Sequence, residues 1–137
     1  MEYASKDIRN ILVAGHAGCG KTTLVEALLY LSGATERMGR VEDGTTASDF
    51  DPEEAKRKTS LNASVVPVEL SGTKYNLIDA PGLFDFEAAA CEGVLAADSV
   101  LICVSGRSGV SVGAEKAYRL AVKNNKERMV FVTKTDI

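Results

Sequence analysis

One stretch near the amino terminus has the residue types and spacing needed to hold a chain of phosphates. Residues 15–22 read Gly-His-Ala-Gly-Cys-Gly-Lys-Thr, a complete match to G-x-x-x-x-G-K-[ST]. Its glycines let successive backbone N–H groups point into one concavity, its lysine reaches the terminal phosphate oxygens, and its threonine hydroxyl can bind Mg²⁺. The predicted phosphate-contacting residues are His16, Ala17, Gly18, Cys19, Gly20, Lys21, Thr22 and Thr23. Lys21 is also predicted to act in catalysis, and Thr22 to bind the metal.

Two side chains of this loop have a simpler interpretation. His16 is the only histidine in the chain, and Cys19 is one of three cysteines. A loop imidazole and a small thiol are more often packing residues than catalysts. We therefore expect both side chains to pack against their neighbours.

A second motif follows an apolar strand. The stretch YNLIDAPG, residues 75–82, ends its strand on Asp79 and turns at Pro-Gly. A carboxylate at this point can hold a Mg²⁺-bound water, and the backbone N–H of Gly82 can approach a terminal phosphate because no side chain intervenes. Without the upstream loop, an ordinary Pro-Gly turn would be the default interpretation. Beside that loop, Asp79 is predicted to sense the phosphate and bind the metal, and Gly82 to sense the phosphate and assist catalysis.

The phosphate loop alone leaves ATPases, kinases and GTPases open, and the last residues narrow this choice. Thr133, Lys134 and Asp136 form T-K-x-D just after an apolar strand. An aspartate can accept hydrogen bonds from guanine N1–H and the exocyclic amine, which adenine does not present in that pattern, while the lysine stem packs over the base. Guanine is therefore favoured as the base.

The elements that must position these motifs alternate between short apolar runs and amphipathic stretches, which predicts an α/β fold with a largely parallel sheet. Strands are predicted at 10–15, 61–70, 74–80, 99–106 and 128–133, and helices at 21–33, 87–97 and 113–125. Strands 61–70 and 74–80 flank a short turn and should form an antiparallel hairpin. Leu24, Leu28 and Leu31 share one face of the first helix, and Gly33 is its predicted stop.

Residues 34–60 are mostly polar and show no sustained period. The segment is too long for an ordinary connection between two elements. We expect a functional or mobile loop here.

Bulk composition sets limits on function. The 137 residues are 45% hydrophobic, which suits one domain, and the net charge of -3 gives no reason to expect sequence-independent nucleic-acid binding. Sequence-specific DNA binding is not predicted either. The cysteines fit neither a zinc site nor a disulfide framework, and no apolar run approaches about 20 residues. We expect a cytoplasmic protein that does not enter membranes.

With these motifs in this order, residues 8–136 resemble the translational GTPases, and more closely the G domain of elongation factor G. GHAGCGKTTLVEALLY, VEDGTTASDFDPEEAKRKTSL, NLIDAPGLFDF and FVTKTD carry the likeness. The resemblance implies a P-loop NTPase G domain with a six-stranded sheet flanked by helices. It also implies GTP or GDP with Mg²⁺ as ligands, and a ribosome on which GTP hydrolysis drives movement of tRNA and mRNA.

The resemblance further implies a domain over 1–137 that is truncated after T-K-x-D, with switch I at 34–60 and switch II at 80–90. The remaining domains of a longer parent are then expected partners. The Lys-Arg-Lys run at 56–58 suits either a solvated face or contact with ribosomal RNA.

Four positions depart from the family pattern. Ser60 stands where the family has a threonine that closes over Mg²⁺, and is predicted as a metal ligand. Gly18 replaces an aspartate that supports a cation site, and Thr133 replaces an asparagine whose amide braces the phosphate loop, so we expect that brace to be lost. Leu83 replaces a histidine that orients the attacking water. Slow hydrolysis is therefore expected, and two alternatives stay open: a non-hydrolysing GTP-dependent binding switch and an ATP-using P-loop enzyme.

Overall fold

The computed structural model describes residues 2–48, 52–57, 63–82 and 87–136. Its elements, in chain order, are a 3₁₀ turn Ser5–Asp7, then β1 Ile8–Gly15, α1 Lys21–Leu31, α2 Pro52–Arg57, β2 Ser64–Leu70, β3 Thr73–Asp79, α3 Glu87–Ala96, β4 Ser99–Ser105, α4 Val112–Lys123 and β5 Glu127–Thr133. All five predicted strands and all three predicted helices are present, with ends that shift by a few residues. Across the described ranges, no helix has both the length and the apolar character that a membrane span requires.

The strands form one mixed sheet in the order β2-β3-β1-β4-β5. β1 runs parallel to both β3 and β4, and β4 runs parallel to β5, whereas β2 and β3 are antiparallel. The hairpin turn consists of Ser71 and Gly72, both with positive φ (51° and 78°), which suits the twist of a two-residue hairpin. The predicted fold class is confirmed. The described residues form five strands, and the sixth that the resemblance implies is not among them.

Each face of the sheet carries its own apolar core. On one face, β1, β3 and β4 pack against α3 and α4, with Leu12, Ile78, Val94, Val100 and Ile102 fully or nearly buried. On the other face, α1 packs on the sheet through a second buried set, Val13, Cys19, Val25, Leu29, Val66, Val68, Leu77 and Cys103. Because β1, β3, β4 and β5 are parallel, their carboxyl ends meet along one edge.

The first helix differs in detail from its prediction. It ends at Leu31, and the N–H groups of Gly33 and Ala34 close its last turn onto the carbonyls of Tyr30 and Leu29. The fully buried apolar stripe is Val25 and Leu29, flanked by the partly buried Leu24 and Leu28. Leu31, predicted to share this face, is 78% exposed because it follows Leu29 by only two residues and therefore projects from the other side of the helix.

The segment 34–60, predicted as a loop without regular structure, contains the short helix α2. Pro52 occupies its first position, where a missing N–H costs nothing and the fixed φ suits a helix. A six-residue helix is too short to show a helical period in the sequence, which explains why the pattern did not reveal it.

A buried carboxylate on α1 holds the earlier part of this segment. Glu26 is only 2% exposed, and its two oxygens accept hydrogen bonds from the backbone N–H groups of Gly39 (3.0 Å) and Ala47 (2.5 Å). A second anchor joins the hydroxyl of Ser64, on β2, to the carbonyl of Ser48 at 2.7 Å. Residues 39–48 are therefore attached to α1 and to the sheet.

Replacing Glu26 with alanine should release this segment. A buried N–H group at Gly39 and a partly buried hydrogen bond at Ala47 would lose their charged acceptor, so we expect the free energy of unfolding to fall by about 3 kcal/mol. Glu26→Gln, which keeps one acceptor oxygen, should lose less. Chemical denaturation measures the stability, and hydrogen exchange should accelerate at the amides of Gly39 and Ala47.

The exposed Glu115 supplies a matched control, since its pair with Arg119 lies on the surface of α4. Glu115→Ala should change stability by less than about 0.5 kcal/mol. Unchanged exchange at Gly39 and Ala47 in Glu26→Ala would contradict the anchoring role.

Candidate functional site

The predicted phosphate loop lies between β1 and α1, in the strand-loop-helix context that its motif requires. β1 ends at Gly15 and α1 begins at Lys21. Gly18 and Gly20 have φ values of 73° and 95°, which side-chain-bearing residues rarely adopt. The loop can therefore turn tightly enough to direct backbone N–H groups toward the amino-terminal end of α1, where an anion is favoured.

The lysine of the motif folds back over this loop. Lys21 is 6% exposed, and its Nζ donates a hydrogen bond to the carbonyl of His16 at 2.9 Å. The neutral carbonyl leaves the ammonium charge without an anion in this contact. Lys21 therefore lies across the loop, with its ammonium group held at the loop backbone.

The second motif meets the first through a threonine and an aspartate. The hydroxyl of Thr22 donates to Oδ2 of Asp79 at 2.8 Å, and Asp79 is 1% exposed. The two residues meet because β1 and β3 are parallel neighbours with Val13 paired to Asp79. The predicted ligands Thr22 and Asp79 therefore face each other at the carboxyl end of the sheet.

Gly82 packs directly against the phosphate loop. A Cβ placed on it would overlap Nζ of Lys21 and would lie 2.6 Å from the backbone N of Ala17. Any side chain here would have to displace the lysine or the loop backbone. The absence of a side chain lets the backbone of this turn lie against the loop between β1 and α1.

The base motif is also attached to the phosphate loop, which corrects one expectation. The hydroxyl of Thr133 donates to the carbonyl of Cys19 at 2.5 Å, and Nζ of Lys134 donates to the carbonyl of Gly18 at 2.6 Å. Loss of the brace at position 133 was expected because the amide of asparagine is absent. Instead, the threonine hydroxyl bonds a loop carbonyl itself.

The remaining predicted residues lie at the margins of this cluster. The side chain of His16 packs against the backbone of Gly113 in α4, as expected for a packing residue, while Thr23 is exposed on the first turn of α1. Asp136 is exposed in the turn after β5. Ser60 and Leu83 lie outside the described residues.

One contact was not anticipated from the sequence. Cys19 and Cys103 are buried neighbours in the core between α1 and the sheet. Hydrogen bonding from Cys103, followed by the nearby charge of Lys21, lowers the pKa of Cys19 to about 6 despite its burial. The same bond and burial raise the pKa of Cys103. Their separation in sequence carried no signal for this pairing, which depends on the alignment of Gly15 with Cys103 between β1 and β4.

The oxygen donors fit a hard divalent cation. A hydroxyl and one carboxylate match the way Mg²⁺ is usually held, by one or two protein oxygens together with substrate phosphates and water. Within the ranges that the structure describes, no three or more His, Cys, Asp or Glu residues group as a metal site. Among the described residues, Thr22 and Asp79 are oxygen donors that could hold such a cation, and phosphates would supply further ligands.

Comparison with known proteins identifies the family. Residues 6–137 match the sequence model of the Elongation factor Tu GTP binding domain. The chain belongs to this family.

Its relatives include elongation factors and related proteins. This GTP-binding domain is 36% identical over 129 residues to Elongation factor G 2 of Streptomyces coelicolor, covering 94% of the chain and 19% of that protein. It is 35% identical over 132 residues to the mitochondrial Ribosome-releasing factor 2 of Drosophila grimshawi, covering 96% and 18%. A crystal structure of a Thermus thermophilus protein superposes with a TM-score of 0.92 at 47% identity, covering 94% and 20%. The chain spans about a fifth of the length of these proteins.

The Thr133 hydroxyl provides a direct test of the loop brace. Thr133→Val keeps the shape of the side chain but leaves the Cys19 carbonyl without its donor. We expect GDP affinity to fall by about 1–2 kcal/mol, or roughly five- to thirtyfold, because the loop is less well positioned. Equilibrium titration with fluorescent GDP measures this loss. Thr133→Ser retains the hydroxyl and should bind within about threefold of the unaltered domain, so equal weakening by both variants would contradict the brace.

Proposed function

We propose that this domain binds GTP and GDP with Mg²⁺ and hydrolyses GTP as the nucleotide switch of an elongation factor G-like protein. The observation that carries the proposal is the meeting of two motifs at one point. The Thr22 hydroxyl lies 2.8 Å from the Asp79 carboxylate, while Gly82 packs against Lys21 and Ala17. This arrangement joins a phosphate-binding loop to a group that can respond to the terminal phosphate.

Phosphate binding is assigned to the loop and its lysine. The backbone N–H groups of residues 16–22 would receive the phosphate oxygens, and Lys21 would exchange the His16 carbonyl for a β- or γ-phosphate oxygen. This exchange gives the ammonium charge an anionic partner, and charge-assisted hydrogen bonds are stronger than neutral ones. Because Gly82 lies against Nζ of Lys21, the turn at 80–82 is positioned to follow the lysine when the phosphate arrives.

Thr22 and Asp79 would hold Mg²⁺, with Ser60 as the third proposed protein ligand. The ion, when bound, neutralises negative charge on the phosphate oxygens. Asp79 is buried at the carboxyl end of β3, so its carboxylate is held in place by the sheet itself. Thr22 is fixed by the first turn of α1. The described donors therefore come from two rigid elements, and Ser60 belongs to the segment proposed as switch I.

Guanine recognition is assigned to the residues after β5. Lys134 is held by the Gly18 carbonyl, and its stem would pack over the base, while Asp136 would accept hydrogen bonds from N1–H and the exocyclic amine. The exposure of Asp136 leaves its carboxylate accessible to a base. Attachment of Lys134 and Thr133 to the phosphate loop fixes the distance between the base and phosphate sites.

Removing the Asp136 carboxylate should abolish the preference for guanine. Asp136→Ala should weaken GTP binding by about 3 kcal/mol, or roughly a hundredfold, because two hydrogen bonds to a charged acceptor are lost. ATP binding should not change. Thr135→Ala, at the neighbouring exposed position, should leave both affinities as they are. Competition titrations against fluorescent GDP measure these effects, and equal competition by ATP and GTP in the unaltered protein would favour the ATP-using alternative.

Switching is proposed for residues 34–60 and 80–90. A cavity of about 330 Å³ lies behind Pro81 and Gly82, between the sheet, α3 and α4. It gives the turn at 80–82 space for a second position without first displacing the core. The first proposed switch has a fixed base, because Glu26 binds the backbone at positions 39 and 47. Nucleotide-dependent order or position of such segments is a common switching device.

Slow intrinsic hydrolysis forms part of the proposal. Phosphoryl transfer depends mainly on positioning and electrostatic stabilisation, which Lys21, the loop amides and the metal can provide. Leu83, directly after the D-x-x-G motif, has no group that can orient an attacking water. A partner that places this water would raise the rate. The name of one relative, Ribosome-releasing factor 2, supports the ribosome as that partner.

Single-turnover GTP hydrolysis by the longer protein that contains this domain tests the function. We expect cleavage to be slow alone and to accelerate by about a hundredfold or more with ribosomes, since a partner group that stabilises the transition state has effects of at least this size. A Leu83→His variant should hydrolyse faster than the unaltered protein in the absence of ribosomes.

The controls separate hydrolysis from binding. Lys21→Ala should prevent both, which excludes a contaminating activity. Tight GTP binding with no cleavage in either condition, together with cleavage by Leu83→His alone, would overturn hydrolysis in favour of a GTP-dependent binding switch. Failure to bind GTP would overturn the proposal as a whole.

A further inference from the structure

We propose that Cys19 and Cys103 are an oxidation site, and that a reversible disulfide between them weakens nucleotide binding. The disulfide depends only on the two thiols, whereas its effect on GDP binding rests on the proposed function.

The two thiols meet beneath the phosphate loop. Cys19 belongs to the loop, Cys103 belongs to β4, and both lie in the core between α1 and the sheet. Gly15 lies between the two residues: a Cβ built on it would lie 2.9 Å from Sγ of Cys19 and 2.5 Å from the backbone carbonyl oxygen of Cys103, so the Cys19 thiol lies close to Cys103. Gly15 is also the β1 partner of Cys103 in the sheet. The pair is thus placed by strand register and by the loop together.

The two thiols differ in pKa and in exposure. The pKa of Cys19 is lowered to about 6, by the Cys103 hydrogen bond first and then by the charge of Lys21, which favours its thiolate form. The pKa of Cys103 is raised, which keeps it protonated as the donor of that hydrogen bond. Cys19 is 4% exposed and Cys103 is 0% exposed, so a small oxidant meets Cys19 first. Cys19 is therefore the attacking thiol and Cys103 the resolving one.

With hydrogen peroxide as oxidant, the chemistry is balanced in two steps. The thiolate of Cys19 attacks one peroxide oxygen, the O–O bond breaks, and the departing hydroxide takes up a proton to leave as water. Cys103 then attacks the sulfur of the resulting sulfenic acid, forming the S–S bond, and its thiol proton leaves with the hydroxyl group as a second water. The two thiols lose two electrons, which reduce one peroxide to two waters.

The bond would disturb the loop because its sulfurs must approach to about 2.05 Å, well inside hydrogen-bonding distance. β4 lies within the sheet, between β1 and β5, so its backbone moves less readily than that of a loop. The backbone of Cys19 would therefore move toward β4. Its carbonyl accepts the Thr133 hydroxyl, and the carbonyl of its neighbour Gly18 accepts Lys134, so this movement alters both contacts with the base motif.

The test uses the full chain, hydrogen peroxide and mass spectrometry. We expect peroxide to produce a linked pair of peptides containing Cys19 and Cys103, to lower GDP affinity by about tenfold or more, and to leave both changes reversible with dithiothreitol. Bound GDP with Mg²⁺ should slow the linkage, because it holds the loop in place. The exposed Cys91 offers a matched control, and Cys91→Ser should behave as the unaltered chain does.

Two further variants keep the outcomes distinct. Cys103→Ala and Cys103→Ser should bind GDP before oxidation and form no intramolecular link, and using both separates the loss of the thiol from a packing defect. Absence of the Cys19–Cys103 link in the unaltered chain overturns the proposal. A Cys19–Cys103 link that leaves GDP affinity unchanged overturns the proposed effect of the disulfide on nucleotide binding. If the reduced chain does not bind GDP, the proposed function fails, yet the peptide analysis still decides whether the disulfide forms.

Discussion

The candidate site depends on keeping one short run of loop backbone, residues 16–20, in a fixed shape. Between β1 and α1 the phosphate loop has little regular hydrogen bonding of its own, so its carbonyls are held from outside. Lys21 bonds the carbonyl of His16, Lys134 bonds that of Gly18, and Thr133 bonds that of Cys19. With these carbonyls held, the N–H groups are left to face a ligand. The loop is preorganised by contacts from its own helix and from the last strand.

The parallel sheet makes this bracing possible. Its order places β1 between β3 and β4, with β5 beside β4, so the motifs that follow β1, β3 and β5 emerge along one edge. Residues far apart in the chain, such as Thr22 and Asp79, then meet without long side chains having to reach for each other. Two separate cores fix the strands from either face. The order and direction of the strands thus bring the motifs together, and the short loops supply backbone and side-chain atoms of the candidate site.

Much of the fold was predictable from the sequence, because it follows from local residue patterns. The phosphate loop, the D-x-x-G turn and the alternation of strands with helices each depend on neighbouring residues, and the structure has all of them in the predicted places. What the sequence did not reveal depends on three-dimensional pairing: the thiol contact of Cys19 with Cys103 and the anchoring of a loop by Glu26. Thr133 shows a third limit, since comparison of residue types predicted a lost amide, whereas a hydroxyl at the same backbone position reaches the loop carbonyl directly.

The anchoring by Glu26 divides the proposed first switch into a fixed part and a distal part. Its base travels with α1, and hence with the phosphate loop that begins that helix, because both carboxylate oxygens hold backbone amides. A large rearrangement that leaves these bonds and the Ser64–Ser48 bond intact must lie beyond Ser48. The distal part of the proposed switch can therefore change position only about a fixed attachment to α1. In the proposed switch, this fixed part would keep the distal part within reach of the phosphate loop whichever position the distal part takes.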